Sequence, residues 1–244
     1  MRLRRRTALD APRLAVVSTV ALQQDVAAGL ERVQRRIARA CERAGRDPAS
    51  VTLVAVSKGH PVEVVRAGYE AGIRHFGENR IQEALPKIEE ATAAGIEATW
   101  HLVGHLQSNK AKAAASAFDV IHSVDSARLL ARLDAAAPAP RDVLLQVNVA
   151  AEPQKQGVAP DEVGGLVEAA REATSLRLRG LMTIAPIASD PEAVRPVFRA
   201  LRLLAERFEV PQLSMGMTDD FEVAIEEGAT LVRVGRAIFG ERTS

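Results

Sequence analysis

The sequence predicts an α/β fold, a (β/α)8 TIM barrel preceded by an extra N-terminal helix. Eight short β-like runs alternate with helix-compatible stretches over about 190 residues. None of these units carries a Gly-rich dinucleotide fingerprint, and no linker or low-complexity segment divides the chain. The alternation alone would also fit an open doubly wound sheet. The number of units and the missing fingerprint favour the closed barrel.

The extra helix covers residues 21–44, where Leu22, Val26, Leu30, Val33, Ile37 and Cys41 recur at intervals of three and four. Gly45 stops it, with Pro48 just beyond. Candidate strands follow at 52–57, 75–77, 100–103, 120–124, 143–149, 178–184, 212–215 and 231–234. Between them, helical patterns run over 61–71, 80–94, 126–134, 160–174, 191–208 and 219–227. The expected organisation is one barrel domain over 21–244, with 1–20 a disordered or mis-started extension. Arg4, Arg5 and Arg6 ahead of the apolar run 14–22 faintly resemble a secretory signal, but Asp10 and Arg13 intervene and the run is short.

Composition excludes several classes. Lys+Arg total 32 against 31 Asp+Glu, so no global field favours nucleic acid or membrane. Aromatic residues are only 3%, too few for a base-stacking platform. The lone Cys41 cannot form an internal disulfide, which suits a reducing cytoplasm.

Chemistry in such barrels sits where strands end. Strand one ends in Ser57-Lys58, strand two in Gly77-Glu78-Asn79, strand seven in Ser214-Met215-Gly216-Met217-Thr218-Asp219-Asp220, and strand eight in Arg233-Val234-Gly235-Arg236. Lys58 follows an apolar strand directly; desolvation lowers a lysine's pKa, and the neutral amine attacks carbonyls. The loops after strands seven and eight form the usual phosphate site, and here both contain glycine. An imine-forming lysine facing a phosphate cradle suits a phosphorylated aldehyde: pyridoxal 5′-phosphate, or a phosphosugar in an aldolase-type site. His101 and His105 are read as structural, Lys110 and Lys155 as loop lysines, and Asp219-Asp220 as a helix start; no metal cluster is expected.

The chain resembles the pyridoxal phosphate homeostasis proteins, small relatives of the alanine racemase N-terminal barrel. The motifs that carry the resemblance are Leu53-Val54-Ala55-Val56-Ser57-Lys58, Phe76-Gly77-Glu78-Asn79, Trp100-His101-Leu102-Val103-Gly104-His105-Leu106-Gln107-Ser108-Asn109-Lys110, Arg179-Gly180-Leu181-Met182-Thr183 and the strand-seven and strand-eight ends quoted above. The resemblance implies a Schiff base on Lys58, Asn79 beside the cofactor ring, and Arg233 at the pyridine nitrogen. It implies that Ser214, Gly216, Gly235 and the backbone around Arg236 hold the phosphate. Thr218 replaces the family's usual serine, keeping a hydroxyl, whereas Arg236 replaces a common threonine. An arginine at the ring nitrogen keeps it unprotonated and weakens the ring as an electron sink.

Three functions compete. The first is a non-enzymatic carrier that buffers pyridoxal phosphate or delivers it to dependent apo-enzymes. The second is a racemase or decarboxylase, and the third an aldolase. A two-base racemase takes a tyrosine from an additional domain; the only tyrosine here is Tyr69, in the helix after strand one. The carrier is therefore expected, as a monomer without nucleic-acid or membrane partners. An aldolase would need a proton relay near Lys58, for which Glu78 is the candidate.

Overall fold

The computed structural model describes residues 11–241. Eight parallel strands close into a barrel in the order β1 to β8. They are β1 (Thr52–Val56), β2 (His75–Glu78), β3 (Thr99–Leu102), β4 (Val120–Val124), β5 (Arg141–Gln146), β6 (Leu176–Met182), β7 (Gln212–Ser214) and β8 (Leu231–Val234). β1 pairs with β8, Thr52 opposite Leu231 and Ala55 opposite Val234, and this ladder closes the sheet. The expected TIM barrel is the observed fold.

Helices α1 (Ala11–Arg43), α2 (Val62–Glu70), α3 (Ile81–Ala93), α4 (Ala111–Ala117), α5 (Ala127–Ala136), α6 (Val163–Glu172), α7 (Arg195–Arg207), α8 (Phe221–Glu226) and α9 (Arg236–Phe239) surround it. Since α9 is a single turn, α1 packs along α2, α8 and α9 and covers the β8–β1 side. Its apolar stripe, Val26, Leu30, Val33, Ile37 and Cys41, is buried as the periodicity predicts. The crossing is close: a Cβ on Gly29 would stand 2.5 Å from the Ile238 carbonyl oxygen. Arg36 fastens α1 to α8 instead, pairing with Glu222 at 2.8 Å and lying over the Phe221 ring.

The sequence differs from the structure mainly at element boundaries. α1 begins at Ala11 rather than residue 21, since Pro12 sits in the first turn, where a missing N–H costs nothing, and no Gly or Pro follows before Gly29. The apolar stripe starts only at Leu22, so periodicity does not reveal the earlier turns. Of the expected 1–20 extension, residues 1–10 lie outside the described residues. β5 and β6 start two residues earlier than their apolar runs, because Asp142 pairs across the rim with Arg177 at 2.6 Å and Arg179 at 3.0 Å. Charged strand starts look like loop in a sequence.

Side chains alternate across each strand. Val54, Val56, Val103, Val120, Leu144, Met182 and Leu231 fill the barrel's interior, while the larger core lies between the sheet and the helices. No helix among the described residues is long and apolar enough to cross a membrane.

Candidate functional site

The strand ends converge on a cavity of about 310 Å³ lined by Lys58, Asn79, Thr218, Arg233, Gly235 and Arg236. Val56, Val103, Ile184 and Met217 supply its apolar walls. Five of the seven residues singled out for the cofactor therefore share one lining; Ser214 and Gly216 lie behind it.

Lys58 is delivered by β1. Val54 and Val56 face the interior, Ser57 faces outward, and Lys58 returns toward the cavity, half-buried. The turn closes through a 3.1 Å bond from the His60 N–H to the Ser57 carbonyl, with Gly59 at φ +72°. On the outer side the Ser57 hydroxyl donates to Glu78 Oε1 at 2.7 Å. Glu78 is fully buried and does not line the cavity, so it cannot serve as the relay an aldolase would need.

Asn79 follows β2, which the β3 loop crosses closely. A Cβ on Gly104 would lie 2.2 Å from the Asn79 carbonyl oxygen, so glycine is required for the two turns to meet.

Arg233 comes from β8 and is almost wholly buried, yet one edge reaches the cavity. It donates to Ser214 Oγ at 2.6 Å and to the Thr183 carbonyl at 2.9 Å. Burial lowers its pKa to about 10, against the opposing pull of Asp220, so it stays charged and donor-only at neutral pH.

Ser214 is placed differently from the phosphate donor that the resemblance implies. The alternation of β7 turns it into the barrel, where its hydroxyl is fully buried between Arg233 and His122. Gly216 supports the loop wall: its φ is +91°, and a Cβ would come within 2.8 Å of Phe221 Cα. At the next turn, a Cβ on Gly235 would stand 2.7 Å from the Val56 carbonyl, so β8 and β1 can approach only with glycine there. The Gly235 turn lines the cavity, and α9 starts at Arg236 without a side-chain cap. The Arg236 guanidinium is forked onto Asp219 at 2.8 and 2.7 Å, so its charge is already offset.

The remaining side chains are structural. His105 stands 3.8 Å from Asp125 and is partly exposed. Lys155 pairs with Glu152 in the loop after β5, and Lys110 ends the 3-10 turn Ser108–Lys110. Asp220 accepts from the Met217 N–H at 2.5 Å. Tyr69 packs under the Arg74 guanidinium at 4.2 Å and does not line the cavity. No group of three or more His, Cys, Asp or Glu among the described residues could hold a metal. Two features escaped the sequence: His60, which joins the lining beside Lys58, and a file of three histidines, two of them buried. His75, His101 and His122 occupy inward positions on successive strands; the period-two pattern on β2 to β4 is the signal that could have found them.

Residues 29–243 match the family model for the alanine racemase N-terminal domain. A curated relative from Pseudomonas aeruginosa, named pyridoxal phosphate homeostasis protein, is 46% identical over 89% of this chain and 96% of its own. The chain belongs to this family. Another member, from Aquifex aeolicus, is 45% identical over 87% of this chain and 96% of its own. The chain is also similar to the solved structure of PipY from Synechococcus elongatus with pyridoxal phosphate bound. That structure is 39% identical, covers 85% of this chain and 100% of its own, and has a TM-score of 0.72. Alanine racemase from Corynebacterium glutamicum, 18% identical with a TM-score of 0.68 over 90% of this chain and 62% of its own, shares the fold.

Proposed function

We propose that this protein binds pyridoxal 5′-phosphate in the barrel-mouth cavity, covalently through Lys58, and acts in cofactor homeostasis as a carrier. The carrying observation is that Lys58 and the buried, charged Arg233 line one cavity together with the Gly235–Arg236 turn. The relatives' name and the pyridoxal phosphate bound in PipY support it. When bound, the cofactor supplies an aldehyde and an electron-withdrawing ring. Lys58 would hold it through its side-chain amine, which in the neutral form is the nucleophile such an aldehyde needs. Asn79 would stand beside the ring, and Arg233, charged and donor-only, would face its nitrogen and keep it unprotonated. Thr218 and the backbone of Gly235 and Arg236 would receive the phosphate, with Gly216 shaping the loop behind them and Ser214 supporting Arg233.

A racemase or decarboxylase would need a further base on the cavity wall. Tyr69 is held elsewhere, and of the titratable side chains that line the cavity with Lys58, Asp219 and Glu241 pair with Arg236 while His60 stands on the same turn as Lys58. The carrier works as a monomer in the cytoplasm, where the buried thiol of Cys41 stays reduced, and passes its cofactor to dependent apo-enzymes.

The test is an absorbance spectrum with pyridoxal phosphate, then borohydride reduction and peptide mapping. A shifted imine band with the adduct on Lys58, absent in Lys58→Ala, is expected. An adduct spread over surface lysines would overturn the site. Turnover of amino acids by the loaded protein would favour the enzyme instead.

A further inference from the structure

Three imidazoles cross the barrel interior in a file. His75 Nδ1 lies 3.0 Å from His101 Nε2, and His101 Nδ1 lies 2.9 Å from His122 Nε2. His122 Nδ1 lies 2.8 Å from Ser214 Oγ, which also meets Arg233 Nη1 at 2.6 Å. The file thus runs from the first residue of β2 at the barrel's N-terminal end to the floor of the cavity. His101 and His122 are almost wholly buried, and Ser214 fully so.

The direction of every bond follows from the arginine. A guanidinium only donates, so Ser214 Oγ must accept from Arg233. The one other polar partner of that oxygen among the described residues is His122 Nδ1. If His122 donated as well, the serine proton would be buried with no acceptor, the costly case. Ser214 therefore donates to His122 Nδ1, which leaves the His122 proton on Nε2. That proton is donated to His101 Nδ1, and the His101 proton on Nε2 is donated in turn to His75 Nδ1.

We propose that His75, His101, His122 and Ser214 form a one-way hydrogen-bonded brace, each imidazole neutral and protonated on Nε2, and that through it His122 positions Arg233 against the bound ligand. The inference deepens the proposed function, since it rests on Arg233 facing the cofactor ring. Burial, with His75 acting on His101 and with His101 and Arg233 acting on His122, pushes these imidazoles well below their usual pKa, which keeps the file neutral. A proton relay to the ligand is excluded by the same chemistry, because Arg233 has no acceptor through which a proton could pass. The file ends at the guanidinium and serves to hold it.

Long-range 15N–1H spectra of the full chain without added cofactor test the polarity. His101 and His122 should each show an Nε2–H and a bare Nδ1 at neutral pH; an Nδ1–H on His122, or an imidazolium, overturns the brace. Two variants test the positioning role. His122→Leu removes the acceptor for Ser214, whereas Asn in His122→Asn restores an acceptor there without reaching His101. The leucine variant should speed exchange of the Arg233 guanidinium protons and raise the Kd for pyridoxal phosphate, each about tenfold, roughly one charge-assisted hydrogen bond. His122→Asn should recover most of both. Unchanged Arg233 exchange in His122→Leu overturns the proposal, and if that variant does not fold, the tautomers of the unmodified protein decide. Should the unmodified protein fail to bind pyridoxal phosphate, the proposed function falls, while the tautomers and the Arg233 exchange still judge the brace.

Discussion

Lys87 Nζ sits 2.6 Å from Glu78 Oε1 outside the barrel wall, and the same ammonium donates at 2.9 Å to the carbonyl of Ser57, the residue before Lys58. α3 thus reaches through its inner face to hold the turn that carries Lys58. Ser57 Oγ completes the arrangement by donating to the same Glu78 oxygen. The second oxygen, Glu78 Oε2, is buried with no hydrogen-bond partner among the described residues.

Breaking this pair from one side should be costly. Lys87→Met leaves a buried carboxylate without its cation, and about 3–5 kcal/mol of stability should be lost, read as a lower denaturant midpoint. The double variant Lys87→Met with Glu78→Met removes both charges and should recover most of that loss. Its Lys58 turn has lost a donor, so imine formation should remain slower than in the unmodified protein. A double variant as unstable as the single one would show that packing, not charge, is what Lys87 provides.

Gly235→Ala probes the seam between β8 and β1. The new Cβ would meet the Val56 carbonyl at 2.7 Å, backbone against atom with nowhere to yield. Overpacking of this kind costs roughly 1–3 kcal/mol. Because the displaced strands carry Lys58 and Arg233, affinity for pyridoxal phosphate should fall as well. Gly95→Ala, also at a glycine but with open space around its Cβ and φ +75°, should leave cofactor affinity unchanged. Equal losses of affinity in the two would argue that the seam does not shape the site.

Arg236→Thr restores the hydroxyl common at this position in the family. The guanidinium it removes is exposed and bound to Asp219, so neither the fold nor Lys58 depends on it. The imine band should survive in the variant, and disappearance of that band would show that the assignment of Arg236 to the phosphate wall is wrong.

Much of this site was legible because β1 and β8 end in residues whose chemistry is unusual for a strand end. A lysine directly after Leu53-Val54-Ala55-Val56 and an arginine inside Leu231–Val234 stand out in any apolar run. Ser214 was harder to place. Its position in the loop motif suggests the phosphate, and only the alternation of β7 shows its side chain turning inward to Arg233. The helix α4, Ala111–Ala117, carries too few large apolar residues to show a stripe. The histidine file was the least legible, since its members lie far apart in sequence and meet only when β2, β3 and β4 pair in parallel.

That file also sets how stability should depend on pH. Burial lowers the pKa of His101 from 6.5 to about 3 and lowers that of His122 in the same direction. The unfolded chain takes up protons on these residues below about pH 6.5 while the native state does not, so stability is full above that value and falls as the pH drops. For His101 alone the loss by pH 5 is about 2 kcal/mol, and His122 adds to it. Half-buried Asp125 and Asp220, whose pKa values desolvation raises, act in the opposite sense, but from the lower carboxylate range. Urea unfolding between pH 7 and 5 reads the histidines most directly. The midpoint should fall steadily across that range in the unmodified protein and less steeply in His122→Leu; a midpoint that stays level to pH 5 would mean that the imidazoles are charged in the native barrel and that the brace does not exist in the form given above.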